Sequence, residues 1–444
     1  MIAFVLPFAG LPLWAEVLFL AAFLLIVFVL AWTSVLFASS REALHAEPAD
    51  DAVAAGELLW VFVVPALDEE VTIADSVHRL AAVKASNKAI VVVDDGSTDG
   101  TAAVLASLDV PELEVLTRVR PEARQGKAAA LNAAWRHLDR LLSSGRWEGW
   151  PRERVVVCVV DADGRLDADA PDHVAPYFAD PQVGGLQVRV RIYNRSQLLT
   201  WCQDVEFGIY GLLFQAGRTP WGTAGMGGNG QFNRLAALDS VVDEDSGGPW
   251  RDKLTEDQDL GLRLIGAGWR GVASAGTRVD QQGLPGLRRL LRQRTRWAQG
   301  NLQAMSHIGR VSRSDLPVLV RCDLVAYLLQ PAFQAVVGVA FVASIVLAIV
   351  GIANFWGDDD WWVLVVFFIL GFGGITLGCI ARGAEHGFLG IVRGVLLMPL
   401  AAAYSWLLWP VLVRAAFRQA VGRGSWAKTA REPLGPIKPP HARA

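Results

Sequence analysis

The sequence predicts an α/β domain built around a mostly parallel sheet and joined to an α-helical transmembrane region. Three observations carry this. From Leu58 onward, short β-branched runs alternate with helical stretches, the pattern of a sheet covered by helices on both faces. Long, nearly uncharged runs stand toward both ends of the chain. The composition of the 444 residues, 52% hydrophobic against 19% charged with a mean hydropathy of +0.33, is too apolar for a soluble domain alone.

Leu11 to Phe37 is broken only by Glu16 and is long enough for a helix across about 30 Å of hydrocarbon. It has no basic leading region and no small-residue cleavage site, so it predicts a retained anchor and not a secretory signal. The first positive charge after it is Arg41, and a domain carrying most of the Lys and Arg follows. That asymmetry predicts an amino end facing out and a domain facing the cytoplasm. Glu42 to Gly56, rich in Ala, Asp and Glu, reads as a linker.

Candidate strands follow at Leu58–Val64, Ala89–Val93, Leu113–Val119 and Val155–Val160, with helices near Glu70–Val83, Thr101–Leu108 and Lys127–Leu142. Strand one runs into Pro65-Ala66-Leu67-Asp68-Glu69-Glu70, and strand two into Asp94-Asp95-Gly96-Ser97-Thr98-Asp99-Gly100-Thr101. Strand four, Val155-Val156-Val157-Cys158-Val159-Val160, ends in Asp161-Ala162-Asp163-Gly164. Open α/β sheets bind ligands at the carboxyl ends of their strands, so three acidic ends at one edge predict a cation-dependent nucleotide site. Taken alone, an Asp-x-Asp pair such as Asp161 and Asp163 is more often a solvated turn than a cation site, and its context carries the metal reading.

Other chemistries find no support. There is no GxxxxGK[ST] loop and no GxGxxG after a strand. Cys158, Cys202, Cys322 and Cys379 are far apart and form no CxxC, which argues against a disulfide framework or a zinc site. The seven histidines are scattered without His-Glu-x-x-His spacing. A net charge of −3 says little by itself, and no nucleic-acid partner is expected.

The segments PALDEE (Pro65–Glu70), VVDDGSTDGT (Val92–Thr101), GKAAALN (Gly126–Asn132), VVDADG (Val159–Gly164), GGNGQF (Gly227–Phe232), TEDQDLG (Thr255–Gly261) and QRTRW (Gln293–Trp297) stand in one order between Leu58 and Gln303. On these the chain resembles the family 2 inverting glycosyltransferases of GT-A fold. More narrowly it resembles the membrane-integrated processive synthases of cellulose, chitin, hyaluronan and poly-N-acetylglucosamine. It departs from their pattern at Leu67 and Asp68, where the family more often has Tyr-Asn. The resemblance implies that Pro65, Glu69, Asp94, Asp95, Lys127, Asp161 and Arg296 meet the nucleotide sugar. It implies further that Asp161 and Asp163 bind Mg²⁺ or Mn²⁺. Asp257, beside Glu256, is implied as the base for the acceptor hydroxyl, and Asn229, Gly230, Gln293 and Trp297 as the acceptor side.

Each motif also has a plain structural use. The Asp94-Asp95 turn suits helix capping, and Thr255-x-x-Gln258 is a capping-box pattern at a helix start. Lys127 at a helix start is placed to reach an anion, and Asp257 at another is expected to have a lowered pKa. Gln293, Arg296 and Trp297 share one helical face, while Arg288, Arg289, Arg292 and Arg294 interleave with leucines as in a helix lying on a membrane surface. Glycine-dense GGNGQF reads as an acceptor loop or an ordinary turn.

Beyond it, Asp323–Ile352, Trp361–Ile380 and Phe388–Val413 are each long enough to span, with Asn354–Asp360 outside. Three such spans would leave the tail outside, yet Val411–Ala444 carries seven Lys or Arg against one Glu. The expectation is therefore that Phe388–Val413, with Pro399 inside it, does not cross fully, and that Trp426-Ala427-Lys428-Thr429 lies in a cytoplasmic tail. The expected organisation is an anchor (1–40), a linker (41–56), a catalytic domain (57–283), interfacial helices with QxxRW (284–322), membrane helices (323–413) and a basic tail (414–444). The expected protein is a multi-pass enzyme of the inner or plasma membrane with a cytoplasmic catalytic domain. Its expected partners are a UDP-sugar, UDP-N-acetylglucosamine or UDP-glucose, a growing β-linked glycan, and the lipid membrane. Single transfer to a polyprenyl phosphate or glycolipid is the alternative. A non-catalytic scaffold would predict lost acidic residues, and none of the expected ones is missing.

Overall fold

The computed structural model describes residues 11–45, 53–143, 147–352 and 361–422. The tail segment Trp426–Thr429 and the loop Asn354–Asp360 lie outside them.

Eight strands form one sheet: β1 (Leu59–Ala66), β2 (Lys88–Asp94), β3 (Leu113–Thr117), β4 (Val155–Val159), β5 (Arg165–Leu166), β6 (Val183–Ile192), β7 (Gln231–Arg234) and β8 (Arg270–Gln281). Their order is β3-β2-β1-β4-β7-β6-β8-β5. The first four are parallel, with Val63 of β1 opposite Val91 of β2 and Val159 of β4. β7 runs antiparallel between β4 and β6, β6 and β8 are parallel, and β5 closes the edge antiparallel.

The helices are α1 (Leu13–His45), α2 (Ile73–Ala81), α3 (Thr101–Ala106), α4 (Lys127–Ser143), α5 (Ala170–Val174), α6 (Leu198–Ile209), α7 (Ala216–Arg218), α8 (Leu235–Ser240) and α9 (Glu256–Gly266), then α10 (Leu287–Ala304), α11 (Ile308–Ser312), α12 (Val318–Ile349), α13 (Trp361–Gly383), α14 (Gly387–Leu407) and α15 (Trp409–Ala420). A π-helical turn, Tyr210–Gln215, joins α6 to α7.

The period-two alternation of β1 divides the core. Trp60, Phe62 and Val64 pack toward α2, with the Trp60 ring edge-on to Phe232 at 5.9 Å. Leu59, Val61 and Val63 pack toward α4 on Leu131, Ala134 and Leu138. Each of those β1 side chains is almost fully buried, at about 25 cal/mol per Å² of apolar area removed from water. This two-sided burial holds the strand ends rigid where the polar residues collect.

α1 continues through Arg41 to His45, so the expected linker begins inside the helix. Three stretches are long and apolar enough to cross a membrane: Leu13–Leu44, Val318–Ile349 and Leu370–Ala420. Both ends of α14 touch the catalytic domain. In the 3-10 turn just before it Glu385 pairs with Arg189 of β6, and near its end the Tyr404 hydroxyl donates to Glu206 of α6 at 2.8 Å. α15 then packs Val411 and Ala415 on Ala298 of α10. Phe388–Val413, which falls within the third of those apolar stretches, is thus tied to the domain at several points along its length, and Pro399 interrupts its helical hydrogen bonding.

Candidate active site

Because β1, β2 and β4 are parallel, their carboxyl ends open on one edge. Pro65, Asp95, Asp161 and Asp163 meet there with Glu69. α4 opens on Lys127 and α9 on Glu256 and Asp257, so two helix amino ends face the same space. α10 supplies Gln293, Arg296 and Trp297 from its single face, and together these line a cleft of about 180 Å³.

Charge in this cleft is unbalanced. Six carboxylates, of Glu69, Asp95, Asp161, Asp163, Glu256 and Asp257, line it against the cations of Lys127 and Arg296. Lys127 Nζ lies 2.6 Å from Asp161 Oδ1 and 3.5 Å from Glu256 Oε1. Burial opposes its charge, yet Asp161 and Glu256 hold it protonated, with its pKa above the ordinary lysine value. Asp257 moves the other way from the sequence expectation, pushed up to about 7. Burial and the neighbouring Glu256 outweigh Lys127 and the Gln258 N–H, which donates to Asp257 Oδ1 at 2.8 Å. The expected capping box does not form: Thr255 Oγ1 donates to Gln258 Oε1 at 3.2 Å, and no side chain caps α9.

Three of the sequence-predicted site residues stand outside the lining. Asp94 is buried and accepts from the Ser97 backbone N–H at 2.9 Å, which makes it the keystone of the DGST turn. Asp95 does line the cleft, paired with Arg118, and burial raises its carboxyl above the usual range. Asn229 is also buried, accepting from the Asp161 N–H at 3.1 Å and donating to Gln281 Oε1 at 3.0 Å. It holds the aspartate turn from behind. Gly230, at φ +70°, leaves no room for a Cβ, which would lie 2.6 Å from Val188 and 2.7 Å from Val279. Gly230→Ala should therefore cost about 2 kcal/mol or more, read as a lower thermal midpoint, and should weaken transfer by displacing Asn229. Gly228 faces the cleft instead, at φ +77°, where a Cβ would stand 2.8 Å from Asp257 Oδ2. Asp68 also has a positive φ, of 52°, and anchors the same turn by accepting from the Thr98 N–H at 2.7 Å.

On α10 the headgroup expectation fails for Arg294. It is buried, bonds Glu206 at 2.6 Å and lies 4.0 Å over the Trp297 ring, while Phe207 meets that ring edge-on at 6.1 Å. Trp297 is thereby fixed in orientation. Among the residues that escaped the sequence reading, Phe207 and Gln281 line the cleft, and the Gln282 N–H donates to Asp163 Oδ2 at 3.0 Å; for the two glutamines a signal existed. The alternating run Arg270–Gln281 ending in Gln-Gln-Gly was their signal.

Among the described residues no three His, Cys, Asp or Glu side chains converge as an all-protein metal cage. The donor chemistry still fits a divalent cation held in part by substrate. Asp161 and Asp163 offer hard oxygens, and a cleft with this carboxylate excess takes a diphosphate only together with added positive charge.

A family model described as "Glycosyltransferase like family 2" matches residues 60–300, more than half of the chain. A beta-monoglucosyldiacylglycerol synthase of Synechocystis sp. is 32% identical over 246 residues, which cover 54% of this chain and 47% of that protein. A poly-beta-1,6-N-acetyl-D-glucosamine synthase of Staphylococcus aureus is 28% identical over 250 residues, 55% of each. The chain spans about half the length of the curated relatives it matches. A mannosyltransferase from Pyrobaculum calidifontis, solved with GDP-Man and Mn2+, superposes with a TM-score of 0.59 at 19% identity, covering 91% of this chain and 99% of that one. That likeness shows the GT-A fold expected from the sequence. With the matched residues 60–300 spanning every strand and the whole lining of the cleft up to Trp297, the chain belongs to glycosyltransferase family 2.

Proposed function

We propose that the protein is an inverting hexosyltransferase that moves a sugar from a UDP-sugar, UDP-glucose or UDP-N-acetylglucosamine, to an acceptor hydroxyl at a membrane surface. The observation that carries this reading is the meeting of Asp257, the Asp161 and Asp163 pair and Trp297 in one cleft beside the long apolar helices. Asp95 and Glu69 take the nucleoside end, and Arg296 with Lys127 faces the diphosphate, a guanidinium fork being suited to phosphate oxygens. Asp161 and Asp163 would hold Mg²⁺ or Mn²⁺, which when bound supplies positive charge against the diphosphate leaving group.

Trp297 offers its uncovered face to the acceptor sugar, and Gln293 beside it can hydrogen-bond a hydroxyl. The acceptor oxygen bonds to the sugar's anomeric carbon from the side opposite the diphosphate. The carbon–oxygen bond to phosphate breaks, UDP leaves, and the acceptor's proton passes to the Asp257 carboxylate. A single displacement of this kind inverts the anomeric centre and gives a β-linkage.

Repeated addition to a growing glycan is supported by the QxxRW face lining the cleft, and single addition to a glycolipid by the similarity to the glucosyldiacylglycerol synthases. α1, α12 and α13 are the proposed spans. With α14 and α15 held to the domain, the basic tail then stays on the cytoplasmic side.

The test is to incubate the purified protein with a panel of radiolabelled UDP-sugars and Mg²⁺ or Mn²⁺ and to size the product. A polymer or ladder identifies repeated addition, and one lipid-linked sugar identifies single transfer. Chelation by EDTA should abolish turnover, with restoration on adding metal back. Turnover that survives EDTA overturns the metal assignment, and no transfer from any nucleotide sugar overturns the function.

A further inference from the structure

We propose that a second recess, between the cleft and the membrane helices, receives the neutral, hydroxyl-bearing end of the acceptor. This rests on the sugar-transfer reading of the cleft. The recess, of about 120 Å³, lies where α9, α10, α12 and α15 meet. Its polar lining is four carboxamides, of Gln258, Asn301, Gln330 and Gln334, and the Tyr327 hydroxyl, with no charged side chain among them. Carboxamides and a phenol offer both donors and acceptors to sugar or glycerol hydroxyls. A phosphate-bearing lipid would enter without a cation to meet it.

Two further observations tie this recess to the chemistry and to the membrane. Gln258 directly follows Asp257 and is held at both ends of its amide. Its Oε1 accepts from Thr255 Oγ1 at 3.2 Å, and its Nε2 donates to the Tyr327 hydroxyl at 2.8 Å. The recess wall is thus fixed relative to the Asp257 carboxylate. Gln330 and Gln334 stand one turn apart and exposed on α12, a helix long and apolar enough to cross a membrane. Amides facing hydrocarbon are costly without a partner, and a hydroxyl-rich group arriving from the bilayer supplies one. Pro331 between them has no N–H to give the Tyr327 carbonyl, which leaves another acceptor at the same place.

The test uses the full-length protein in nanodiscs and the double variant Gln330→Leu/Gln334→Leu. Both side chains are exposed on an apolar helix, so the variant should fold, as an unchanged thermal midpoint would verify. The probes are photoactivatable dioleoylglycerol and photoactivatable chitotetraose, with undecaprenyl phosphate as competitor. Labelling should fall between Tyr327 and Gln334 and drop at least fivefold in the variant. The variant's KM for the acceptor should rise about tenfold, with the KM for the UDP-sugar as in the parent. Labelling by the lipid probe assigns the recess to a lipid headgroup, and labelling by the sugar probe assigns it to a glycan. Labelling elsewhere, an unmoved acceptor KM, or equal competition by undecaprenyl phosphate overturns the proposal. If the parent labels in the recess but transfers no sugar, the functional reading fails and the recess stands.

Discussion

Asp257→Asn is expected to lower transfer by about 10³-fold while UDP-sugar binding stays within about twofold of the parent, because only the proton acceptor is removed. Single-turnover transfer and equilibrium donor binding separate the two. The parent's pH profile should carry the same residue's signature. A base must be ionised, and Asp257 is pushed up to about 7, so kcat/KM should fall roughly tenfold per unit as pH drops below that value. Near-normal turnover in the variant would remove Asp257 from the mechanism. An acid limb near pH 4 would show that the bound donor and cation restore an ordinary carboxylate.

The same shift makes a stability prediction of definite sign. A carboxylate whose folded-state pKa lies above its unfolded value of 3.8 favours folding most when protonated, and that contribution is lost as pH rises through about 7. Asp257→Asn should therefore be more stable than the parent at pH 8, by a few degrees in thermal midpoint, and nearly equal to it at pH 4. An activity loss paired with a pH-dependent stability gain is not what a merely structural residue would give.

The second large effect is expected away from the cleft, at Asp323. It is fully buried near the start of α12, accepting from Arg218 at 2.6 and 3.0 Å and from the Trp32 indole N–H of α1 at 2.7 Å. Arg218 in turn lies 4.9 Å over the Tyr327 ring, whose hydroxyl meets Gln258. One ion pair thus clamps two apolar helices to the catalytic domain below α9. Arg218→Met or Asp323→Leu alone leaves an uncompensated buried charge and should cost about 3–5 kcal/mol, seen as early thermal inactivation and proteolytic release of the domain from its helices. The double variant Arg218→Met/Asp323→Leu should recover most of the loss, since both charges are gone. Equal damage from the single and double variants would show that the pair acts through something other than its charges.

Much of the cleft was legible because its residues sit next to strong local signals. Asp161 and Asp163 follow a strand buried on both faces, Lys127 and Asp257 begin helices, and Gln293, Arg296 and Trp297 share a helical face. Local patterning could not separate a residue that faces the ligand from one that holds the ligand-facing residue. Asp94 and Asn229 have the same polarity as their neighbours, yet both turn inward to backbone N–H groups. Whether the carboxylate at the α9 amino end is a weak or a matched base was equally hidden. The helix end alone argues for a low pKa, and the opposite outcome comes from Glu256 and from burial under the GGNG loop and α10.

The sequence by itself determined the α/β class, the order of the parallel strands' acidic ends and the presence of apolar helices at both ends of the chain. These follow from periodicity and composition, which act over a few residues at a time. Only the tertiary structure decided that Arg294 is buried between Glu206 and the Trp297 ring, that α14 and α15 are tied to the domain through Tyr404, Val411 and Ala415, and that Asp323 is hydrogen-bonded by residues from α1 and α7. Each of those depends on desolvation and on partners more than 80 positions away in the chain, and burial by distant elements leaves no local trace in the sequence.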